Sequence, residues 1–333
     1  MATDVAIDIG TTTTQVATSD GIIFNDATLV AIDTKNGAVV EVGEHALELV
    51  GRTPRHIAVF RPLHQGTTID FDVTARLVAG LFERAGVSKL SRARVVMSVP
   101  SLATSIERRA LRQAALRAGA REVSLMEAPI AAAIGLGMPV QEPVGSAVAV
   151  LGAGASEAAL VSVGGIVSSG ARRIGGADID SNLATLLRVR HGVVVAPSDI
   201  TALKLALGSA RGRHAGNSVV VPARTVDFGR VVSVEVRAEL VYEALSGVVN
   251  NIVTLIQECL GAAPPDLSLD VAHSGLTLVG GNAEMADLAD VVASATGVTV
   301  RVAPSPEHVV IRGLQLCLEQ MSSLHALFRS ADL

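Results

Sequence analysis

Apolar residues fall into short runs that alternate with longer amphipathic stretches. In the first part of the chain, strands are predicted at VAIDIG, TQVATS, GIIFNDATLVAID, RARVVMSVP and EVSLME, most of them bounded by glycine, proline or aspartate. Helical spacing appears in VTARLVAGLFERAG, in the arginine-faced SLATSIERRALRQAALRAGA and in the small-residue stretch APIAAAIGLG. Strands alternating with helices predict an α/β domain.

A second cycle of strands and helices begins near residue 142. SAVAVLGAGASEAALVSVGG repeats the strand, glycine turn and strand of the start of the chain, so that Gly152 corresponds to Gly10 and Val150 to Asp8. Residues 177–211 are predicted to be mostly helical, 218–236 to be strands, and VYEALSGVVNNIVTLIQECLGA to be a long helix. We therefore expect two similar α/β domains across a cleft, with VIRGLQLCLEQM as a final helix that returns to the first domain.

Composition narrows the class of protein. The chain has 333 residues, of which 49% are hydrophobic and 2% aromatic, so its core must be built from valine, alanine, leucine and isoleucine. A net charge of -5 without a basic block argues against nucleic acid as the main partner. Cys259 and Cys317 lie in helical contexts and predict neither a disulfide nor a metal site. The apolar stretch 128–140 is interrupted by proline and glycine and is shorter than the about 20 residues of a membrane span, so we expect a cytoplasmic protein.

Three glycine turns, each following a predicted strand, are candidates for phosphate binding. They lie at Gly10, which four threonines follow, at Gly152 with Gly154, and at Gly280 with Gly281. Glycine allows backbone N–H groups to approach a phosphate, and a helix that starts just after the turn adds its positive end. A single such turn is more often only structural, whereas three in this order and spacing favour a nucleotide site.

With these turns in place, the sequence resembles the MreB/Mbl family of bacterial actin homologues, in the actin–Hsp70–sugar kinase superfamily. The resemblance runs nearly end to end and is carried by DIGTTTTQVAT, GRTPRHIAVFRPLHQGTTIDFDVT, VVMSVPSLATSIERRALRQAALRAGAREVSLMEAPIAAAIGLGMPVQEPVGS, VSVGGIVSSGARRIGGADID, LKLALGSA and GLTLVGGNAEM. It implies an actin-like ATPase fold, in which two duplicated RNase H-like α/β domains enclose a nucleotide cleft. Domain I would comprise residues 1–141 and 310–333, and domain II residues 142–309.

The resemblance also implies which residues bind ATP and Mg²⁺. In the first loop, the threonines would meet the β- and γ-phosphates and Asp8 would order Mg²⁺ through water. The third loop would hold the α-phosphate and the sugar side, and Lys204 would flank the adenine or ribose. The implied set is Asp8, Gly10, Thr11, Thr12 and Thr13 in the first loop, Gly152, Gly154 and Ser156 in the second, Gly280, Gly281, Asn282 and Ala283 in the third, and Lys204.

Several positions depart from the family pattern. The family's second loop has the form Asp-Ile-Gly-Gly-Gly-Thr-Thr-Glu, but here Val150 replaces the metal-positioning aspartate and Ala155 the threonine near the attacking water. The family's Glu-Glu-Pro run is Glu127-Ala128-Pro129, which puts Ala128 at the water-orienting glutamate and leaves Glu127 as the nearest substitute carboxylate. Thr201 stands where the family has a sugar-binding glutamate, and Asn282 replaces the third glycine of the last turn.

These departures bear on catalysis more than on binding. Phosphoryl transfer depends on positioning and electrostatics, so each lost group costs a few kcal/mol of transition-state stabilisation, at tenfold in rate per 1.36 kcal/mol. We therefore expect no catalytic residue in working order and little or no ATPase activity. Backbone N–H groups do not depend on side-chain identity, so nucleotide binding is expected to persist, with a weakened Mg²⁺ site.

The family resemblance implies a cytoplasmic cytoskeletal protein that assembles with itself and meets cell-wall synthesis and shape proteins. The family attaches to the inner membrane surface through an N-terminal amphipathic helix or an apolar loop of the first domain. The first strand here is expected from about Thr3, which leaves no room for such a helix. The matching loop, GVSKLSRARVV, offers Leu90, Arg92 and Arg94, and an ordinary solvated loop is the equal alternative.

Three alternative functions within the same superfamily can be compared with the sequence. A non-polymerising pseudo-ATPase that regulates a true MreB would keep the same fold and the same degenerate site. A sugar kinase would need a carboxylate base facing a sugar pocket, and the sequence offers no convincing candidate. A chaperone of the Hsp70 type would need a further substrate-binding domain, which we do not expect.

Overall fold

The structure, a computed structural model, describes residues 4–65, 67–68, 70–87 and 93–319. The strands are β1 (Val5–Ile9), β2 (Thr13–Thr18), β3 (Gly21–Ala27), β4 (Val30–Asp33), β5 (Val39–Val42), β6 (Ile57–Phe60), β7 (Leu63–His64), β8 (Thr67–Thr68), β9 (Arg94–Val99), β10 (Glu122–Glu127), β11 (Ser146–Leu151), β12 (Ser156–Ser162), β13 (Gly165–Arg172), β14 (Val193–Val195), β15 (Ser218–Thr225), β16 (Val231–Arg237), β17 (Leu276–Val279) and β18 (Val300–Val302). The α-helices are α1 (Glu44–Glu48), α2 (Phe71–Arg84), α3 (Ser105–Ala118), α4 (Ala128–Gly135), α5 (Gly176–His191), α6 (Pro197–Leu207), α7 (Ala238–Gly261), α8 (Pro265–Ser274), α9 (Leu288–Thr296) and α10 (Val309–Glu319), with 3₁₀ turns at Gly281–Glu284 and Pro306–His308.

Two five-stranded sheets share one topology. The first runs β3-β2-β1-β9-β10 and the second β13-β12-β11-β17-β18, each with an antiparallel meander of three strands followed by two parallel strands. The registers also correspond, because Asp8 pairs with Gln15 in the first sheet and Val150 with Glu157 in the second. The duplication predicted from the glycine turns is therefore confirmed, down to the equivalence of Asp8 and Val150.

Two helices lie between the sheets. Buried residues of α4 and α10 form one cluster with Ala6 and Val96 of the first sheet and with Val148 and Val279 of the second. The outer face of the first sheet packs against α2 and α3, and that of the second sheet packs against α5, α7 and α9. The final helix thus contacts the first sheet, as the sequence predicted.

Small residues explain how α4 and α10 fit into this space. A Cβ atom added at Gly313 of α10 would lie 1.8 Å from the carbonyl oxygen of Ala131. A Cβ atom at Gly135 would lie 2.1 Å from the carbonyl oxygen of Val309. Each helix therefore presents a glycine where the other's backbone passes, and the pair approaches more closely than side chains would allow.

Some elements differ from the sequence prediction. The run GIIFNDATLVAID is divided, because β3 belongs to the first sheet whereas β4 pairs with β5 and β6 in a separate small sheet. The stretch 177–211 contains β14 between two helices, and β14 pairs with β15 in another three-stranded sheet. A three-residue strand shows too little periodicity to be predicted, and its pairing partner lies about thirty residues further along the chain. The proposed boundaries at 141 and 309 remain a prediction, and residues 320–333 lie outside the described part.

Among the described residues, one helix is long and apolar enough, by length and composition, to cross a membrane. It is α7, and half of its apolar window is buried inside the protein. Its buried stripe, which includes Val241, Val248 and Ile252, packs into the core beside the second sheet. This is the behaviour of a core helix with one solvated face.

Candidate functional site

The first loop is a tight turn between β1 and β2. The N–H of Gly10 donates to the carbonyl of Thr13 at 3.0 Å, and an added Cβ atom at Gly10 would lie 2.8 Å from that same oxygen. Thr28 stabilises the turn with two hydrogen bonds. Its hydroxyl donates to the Gly10 carbonyl at 2.7 Å, and its N–H donates to the Thr12 carbonyl at 2.8 Å. Thr12 and Thr13 are exposed and Thr11 is half-buried, so the loop presents an accessible polar surface.

Asp8 lies at the carboxyl end of β1, directly before this loop. Its carboxylate accepts a hydrogen bond from the hydroxyl of Ser98, at the end of the parallel neighbour β9. Burial raises the pKa of Asp8, and the bond from Ser98 partly offsets that effect. Sequence analysis missed Ser98, although a polar residue ending a strand parallel to β1 was a usable signal.

The second loop repeats the geometry of the first. The N–H of Gly152 donates to the carbonyl of Ala155 at 2.9 Å. The Ser156 side chain is fully buried and its hydroxyl donates to the carbonyl of Ile174 at 2.8 Å, so the hydroxyl is engaged within the protein and the place of Ser156 in the nucleotide site stays a prediction. The residue begins a strand, and its side chain points away from the loop surface.

The start of α5 is tied to this second loop. The N–H of Ala177 donates to the carbonyl of Ala153 at 2.8 Å. An added Cβ atom at Gly175 would lie 2.3 Å from the Gly152 carbonyl, so only glycine allows this approach. These contacts hold the second loop against the start of α5.

The third loop meets the second one. Gly280 has a positive φ of 87°, and an added Cβ atom there would lie 2.5 Å from the carbonyl of Leu151. Asn282, which replaces the family's glycine, donates from Nδ2 to the carbonyl of Gly152 at 2.6 Å. Ala283 is buried and its N–H donates to the carbonyl of Gly280 at 2.9 Å. The predicted contact of Ala283 with the nucleotide stays a prediction. Gly281 is exposed.

Lys204 reaches the same region from α6. Its Nζ lies 2.8 Å from Oδ1 of Asp180 and donates to the carbonyl of Gly176 at 3.1 Å. The hydroxyl of Thr201 also donates to Asp180, at 3.3 Å. Asp180, which sequence analysis did not single out, therefore holds the lysine beside the start of α5.

Glu157 is a further buried carboxylate that sequence analysis left without a role. It pairs across strands with Val150, so both side chains lie on the same face of the second sheet. Only 4% of Glu157 is exposed, and its Oε2 accepts the N–H of Ser101 at 2.8 Å. Burial raises its pKa to about 6, the bonds from Ser101 lower it, and the nearby Glu127 and Asp8 raise it. A single acidic residue within the apolar strand SEAALVS was the signal for it.

Glu127, a second acidic residue near Glu157, is paired with an arginine. Glu127 accepts a hydrogen bond from Arg108 at 2.6 Å, and both side chains are largely buried. The carboxylate of Glu127, the nearest substitute for the missing aspartate in sequence, is thus paired with an arginine.

Contacts between the two halves of the chain surround Glu157. Arg173 bonds to Glu107 at 3.1 Å, and Nε2 of Gln65 lies 3.5 Å from Oδ1 of Asp178. A cavity of about 10 Å³ remains beside Glu157, comparable with the volume that one water molecule requires. Its walls are Gln65, Pro100, Leu102, Ala103, Ala155, Glu157 and Arg173.

The side chains near the three loops can be compared with the ligands that Mg²⁺ requires. Mg²⁺ binds oxygen, retains several waters and commonly uses one or two carboxylates together with substrate phosphates. Within the described ranges, no group of three or more histidine, cysteine, aspartate or glutamate side chains is placed to hold a metal by itself. Asp8 beside a loop of exposed threonines therefore fits a metal held mainly by phosphates.

The predicted membrane loop is only partly described. Leu90 and Arg92 lie outside the described residues. Arg94 is engaged, because its Nε donates to Oδ2 of Asp4 at 3.0 Å and its backbone N–H donates to the same carboxylate. Arg94 also lowers the pKa of Asp4, against the effect of burial. The guanidinium of Arg94 is therefore paired with Asp4, and contact of Arg94 with lipid headgroups stays a prediction, with an ordinary solvated loop as the alternative.

Comparisons with known proteins agree with this architecture. The family model of the MreB/Mbl proteins matches residues 2–326. The cell shape-determining protein MreB of Escherichia coli K12 is 34% identical over 96% of this chain and 94% of its own length. The cell shape-determining protein Mbl of Bacillus subtilis is 31% identical, with 97% and 98% covered.

Solved structures show the same fold. MreB 5 of Spiroplasma citri bound to AMPPNP superposes with a TM-score of 0.88 at 24% identity, over 98% of both chains. The MamK double helical filament gives 0.79 at 19% identity, over 96% of this chain and 99% of the other. The fold is therefore actin-like, and the chain belongs to the MreB/Mbl family of cell shape-determining proteins.

Proposed function

We propose that this protein binds ATP with Mg²⁺ between its two halves, hydrolyses it slowly or not at all, and assembles with itself to support cell shape. One observation carries the proposal: the duplicated loops at Gly10 and Gly152 have the same turn geometry, but only the first keeps its carboxylate, Asp8. Valine at the equivalent position, Val150, leaves the second loop able to bind and unable to position a metal.

Nucleotide binding is supported by exposed backbone in two of the loops and by the side chains of Lys204 and Asp8. The turns at Gly10 and Gly281 present accessible backbone, and Lys204 is held by Asp180 next to the second loop. Asp8 would meet the metal, which supplies charge neutralisation for the phosphates when bound. The relative from Spiroplasma citri was solved with ADP and with AMPPNP.

Slow hydrolysis is supported by the acidic residues that surround the site. Ala128 cannot orient water, and Glu127 is held by Arg108 at 2.6 Å. Glu157 remains beside the small cavity, but its pKa of about 6 reflects the cost of keeping its charge buried there. Glu157 therefore lies beside the cavity with one carboxylate oxygen engaged by the N–H of Ser101, and we propose that it does not replace the metal-positioning aspartate that Val150 lacks.

Self-assembly is proposed from the relatives, because MamK forms a double helical filament. We propose that the filament lies in the cytoplasm, at the inner membrane surface and near proteins of cell-wall synthesis, and the family role in cell shape supports this proposal. The proposed division into residues 1–141 with 310–333 and residues 142–309 would allow the two halves to close on the nucleotide.

The test measures binding and phosphate release separately. Gly10→Ala puts a Cβ atom 2.8 Å from the Thr13 carbonyl and should weaken binding of a fluorescent ATP analogue at least about tenfold. Gly165→Ala, with nothing within 4 Å of the added atom, is the matched control and should bind as the wild type does. Equal affinity in all three proteins would refute the assignment of the first loop.

Hydrolysis is tested by restoring the missing groups. The double substitution Val150→Asp with Ala128→Glu should raise single-turnover phosphate release by about 100-fold, at tenfold or more for each group. Rapid release by the wild type, unchanged in the double variant, would refute slow hydrolysis.

A second candidate follows from the same degenerate site, namely a non-polymerising partner that regulates a true MreB. The family has a metal-positioning carboxylate where this chain has Val150. Its absence supports this second candidate as much as it supports the first, a filament with slow hydrolysis. Sedimentation and electron microscopy with and without ATP separate the two, because only the first candidate forms filaments alone.

A further inference from the structure

Gln15 carries a buried hydrogen-bond acceptor on the face of the first sheet that also bears Asp8. The two residues pair across β1 and β2, so their side chains lie side by side on one face. Only 3% of Gln15 is exposed, and its Oε1 has no hydrogen-bond partner among the residues that the structure describes. A buried acceptor without a donor is unfavourable, which makes this atom a candidate for contact with a ligand.

This face of the sheet is directed into the space between the two sheets. Ala17 and Ala6 lie two residues away from Gln15 and Asp8, and both alanines belong to the buried cluster that fills this space. Side chains alternate between the two faces along a strand. Asp8 and Gln15 therefore face the same interior, at the end of β1 and β2 where the first loop begins, and Gln15 lies beside the proposed metal and phosphate site.

Two further residues fix the orientation of the Gln15 amide. Nε2 of Gln15 donates to Oδ1 of Asn25 at 3.1 Å, and Nδ2 of Asn25 lies 3.1 Å from Nε2 of His308. An amide nitrogen only donates, so Nε2 of His308 accepts, and Nδ1 on the other side of the ring lies 3.3 Å from Oε1 of Glu307. We call Gln15, Asn25 and His308 the polar row. Because each amide is held by its neighbour, Oε1 of Gln15, and not Nε2, is left to a ligand.

The duplicated sheets give Gln15 a counterpart in the second half of the chain. Asp8 and Gln15 correspond in register to Val150 and Glu157. The counterpart is engaged, because Oε2 of Glu157 accepts the N–H of Ser101 at 2.8 Å. Gln15 is instead an uncharged acceptor beside a carboxylate. An amide adds no second negative charge next to Asp8, whose pKa is already raised by burial.

We propose that Gln15 is a positioning residue of the metal and nucleotide site, with Oε1 accepting a hydrogen bond from a water molecule bound to Mg²⁺. Mg²⁺ in proteins retains several of its waters, and water polarised by a cation is a strong donor. A phosphate oxygen is itself an acceptor, and the sugar hydroxyls are proposed to lie at the third loop, so neither is the partner. The inference rests on the proposed function. It gives Asp8 a neighbour on each side, Ser98 on β9 and Gln15 on β2.

The experiment compares the affinity of the full chain for a fluorescent ADP analogue in excess Mg²⁺ and in EDTA. The ratio of the two affinities measures how strongly the metal supports binding. Gln15→Leu should lower this ratio about tenfold, which is one hydrogen bond of about 1.4 kcal/mol, and should leave the affinity in EDTA unchanged. Gln315→Leu is the matched control, because Gln315 is a half-buried glutamine of α10 outside the polar row, and it should keep the wild-type ratio.

Two further measurements separate positioning from packing. Without nucleotide, Gln15→Leu should melt no lower than the wild type, because the substitution also removes the acceptor that has no partner. Gln15→Glu keeps an acceptor oxygen in the same place and should restore the Mg²⁺ ratio to the wild-type value or above. A role in packing alone predicts the opposite order, with the charged variant worse than the leucine variant.

The results that would overturn the proposal are distinguishable from one another. A wild type that binds no nucleotide, or binds it equally well with and without Mg²⁺, removes the proposed metal and nucleotide site and the role of Gln15 with it. A wild type whose binding depends on Mg²⁺, with the same ratio in Gln15→Leu, removes only the role of Gln15. A Gln15→Leu variant that melts well below the wild type and loses affinity equally in Mg²⁺ and in EDTA would make Gln15 a packing residue.

Discussion

The contact between α4 and α10 allows a sharp test of the packing, by two glycine-to-alanine changes in helices. Gly313 is buried on α10, and its added Cβ atom would meet the Ala131 carbonyl oxygen at 1.8 Å and the Gly135 nitrogen at 3.0 Å. Gly247 is exposed on α7, and an added Cβ atom there meets nothing within 4 Å. The same chemical change is thus made once against backbone and once into solvent.

The expected magnitudes follow from these distances. Alanine in place of a helical glycine gains about 1 kcal/mol from propensity alone, so Gly247→Ala should stabilise the protein by about that amount. At Gly313 the helices would have to move about 1 Å apart, because the 1.8 Å contact is with backbone that cannot turn away. Overpacking typically costs 1–3 kcal/mol and occasionally more, so we expect Gly313→Ala to destabilise by about 3 kcal/mol.

The measurement is the free energy of unfolding in urea for the wild type and the two variants. The two substitutions should differ by about 4 kcal/mol and have opposite signs. Because α10 lies between the sheets, Gly313→Ala should also increase hydrogen exchange in both α4 and α10. If Gly313→Ala were as stable as Gly247→Ala, the close crossing of the helices between the sheets would be wrong.

Further predictions concern the site. Glu157→Gln should stabilise the folded protein by about 2 kcal/mol at pH 7.5 and by little at pH 4. The pKa of Glu157 is raised from 4.5 to about 6 in the folded protein, so the wild type loses stability as the pH rises through that range and the side chain becomes charged. Urea unfolding of both proteins at both pH values measures the difference. Thr28→Val removes the hydroxyl that donates to Gly10 at 2.7 Å and should cost about 1–2 kcal/mol, with weaker binding of an ATP analogue. Asn282→Ala removes the 2.6 Å bond to Gly152 and should cost about 1 kcal/mol, measured by the same unfolding assay.

Each of these three predictions would be contradicted by a different result. A Glu157→Gln effect that does not change with pH would mean that the carboxylate is solvated. For Thr28→Val, Thr254→Val is the matched control, because Thr254 is exposed and bonds within its own helix at 2.9 Å; equal losses would remove the special role of Thr28. Unchanged stability of Asn282→Ala would mean that the second and third loops are held together by Gly280 alone.

Much of the fold was determined by the sequence itself. Alternation of short apolar runs with helical spacing is a local property, so the strands from VAIDIG to SAVAVL and the long helix α7 could be predicted. The repeated strand-turn-strand segments around Gly10 and Gly152 also predicted the duplication, because a strand, a glycine that permits a tight turn and a second strand recur there in the same order. The first loop was likewise predicted from its residues, and the loss of a carboxylate at position 150 followed from the resemblance to the family, which has aspartate where this chain has Val150.

Only the tertiary structure decided which side chains remain available at the site. Ser156 and Glu157 are neighbours in sequence, yet Ser156 faces a carbonyl inside the second half and Glu157 faces Ser101 of the first. The partners Ser98, Thr28 and Asp180 lie far along the chain from the groups they hold, and local patterns carry no information about such distances. Burial and pairing depend on how two sheets and two helices pack together, and that packing turned a set of candidate residues into a defined geometry.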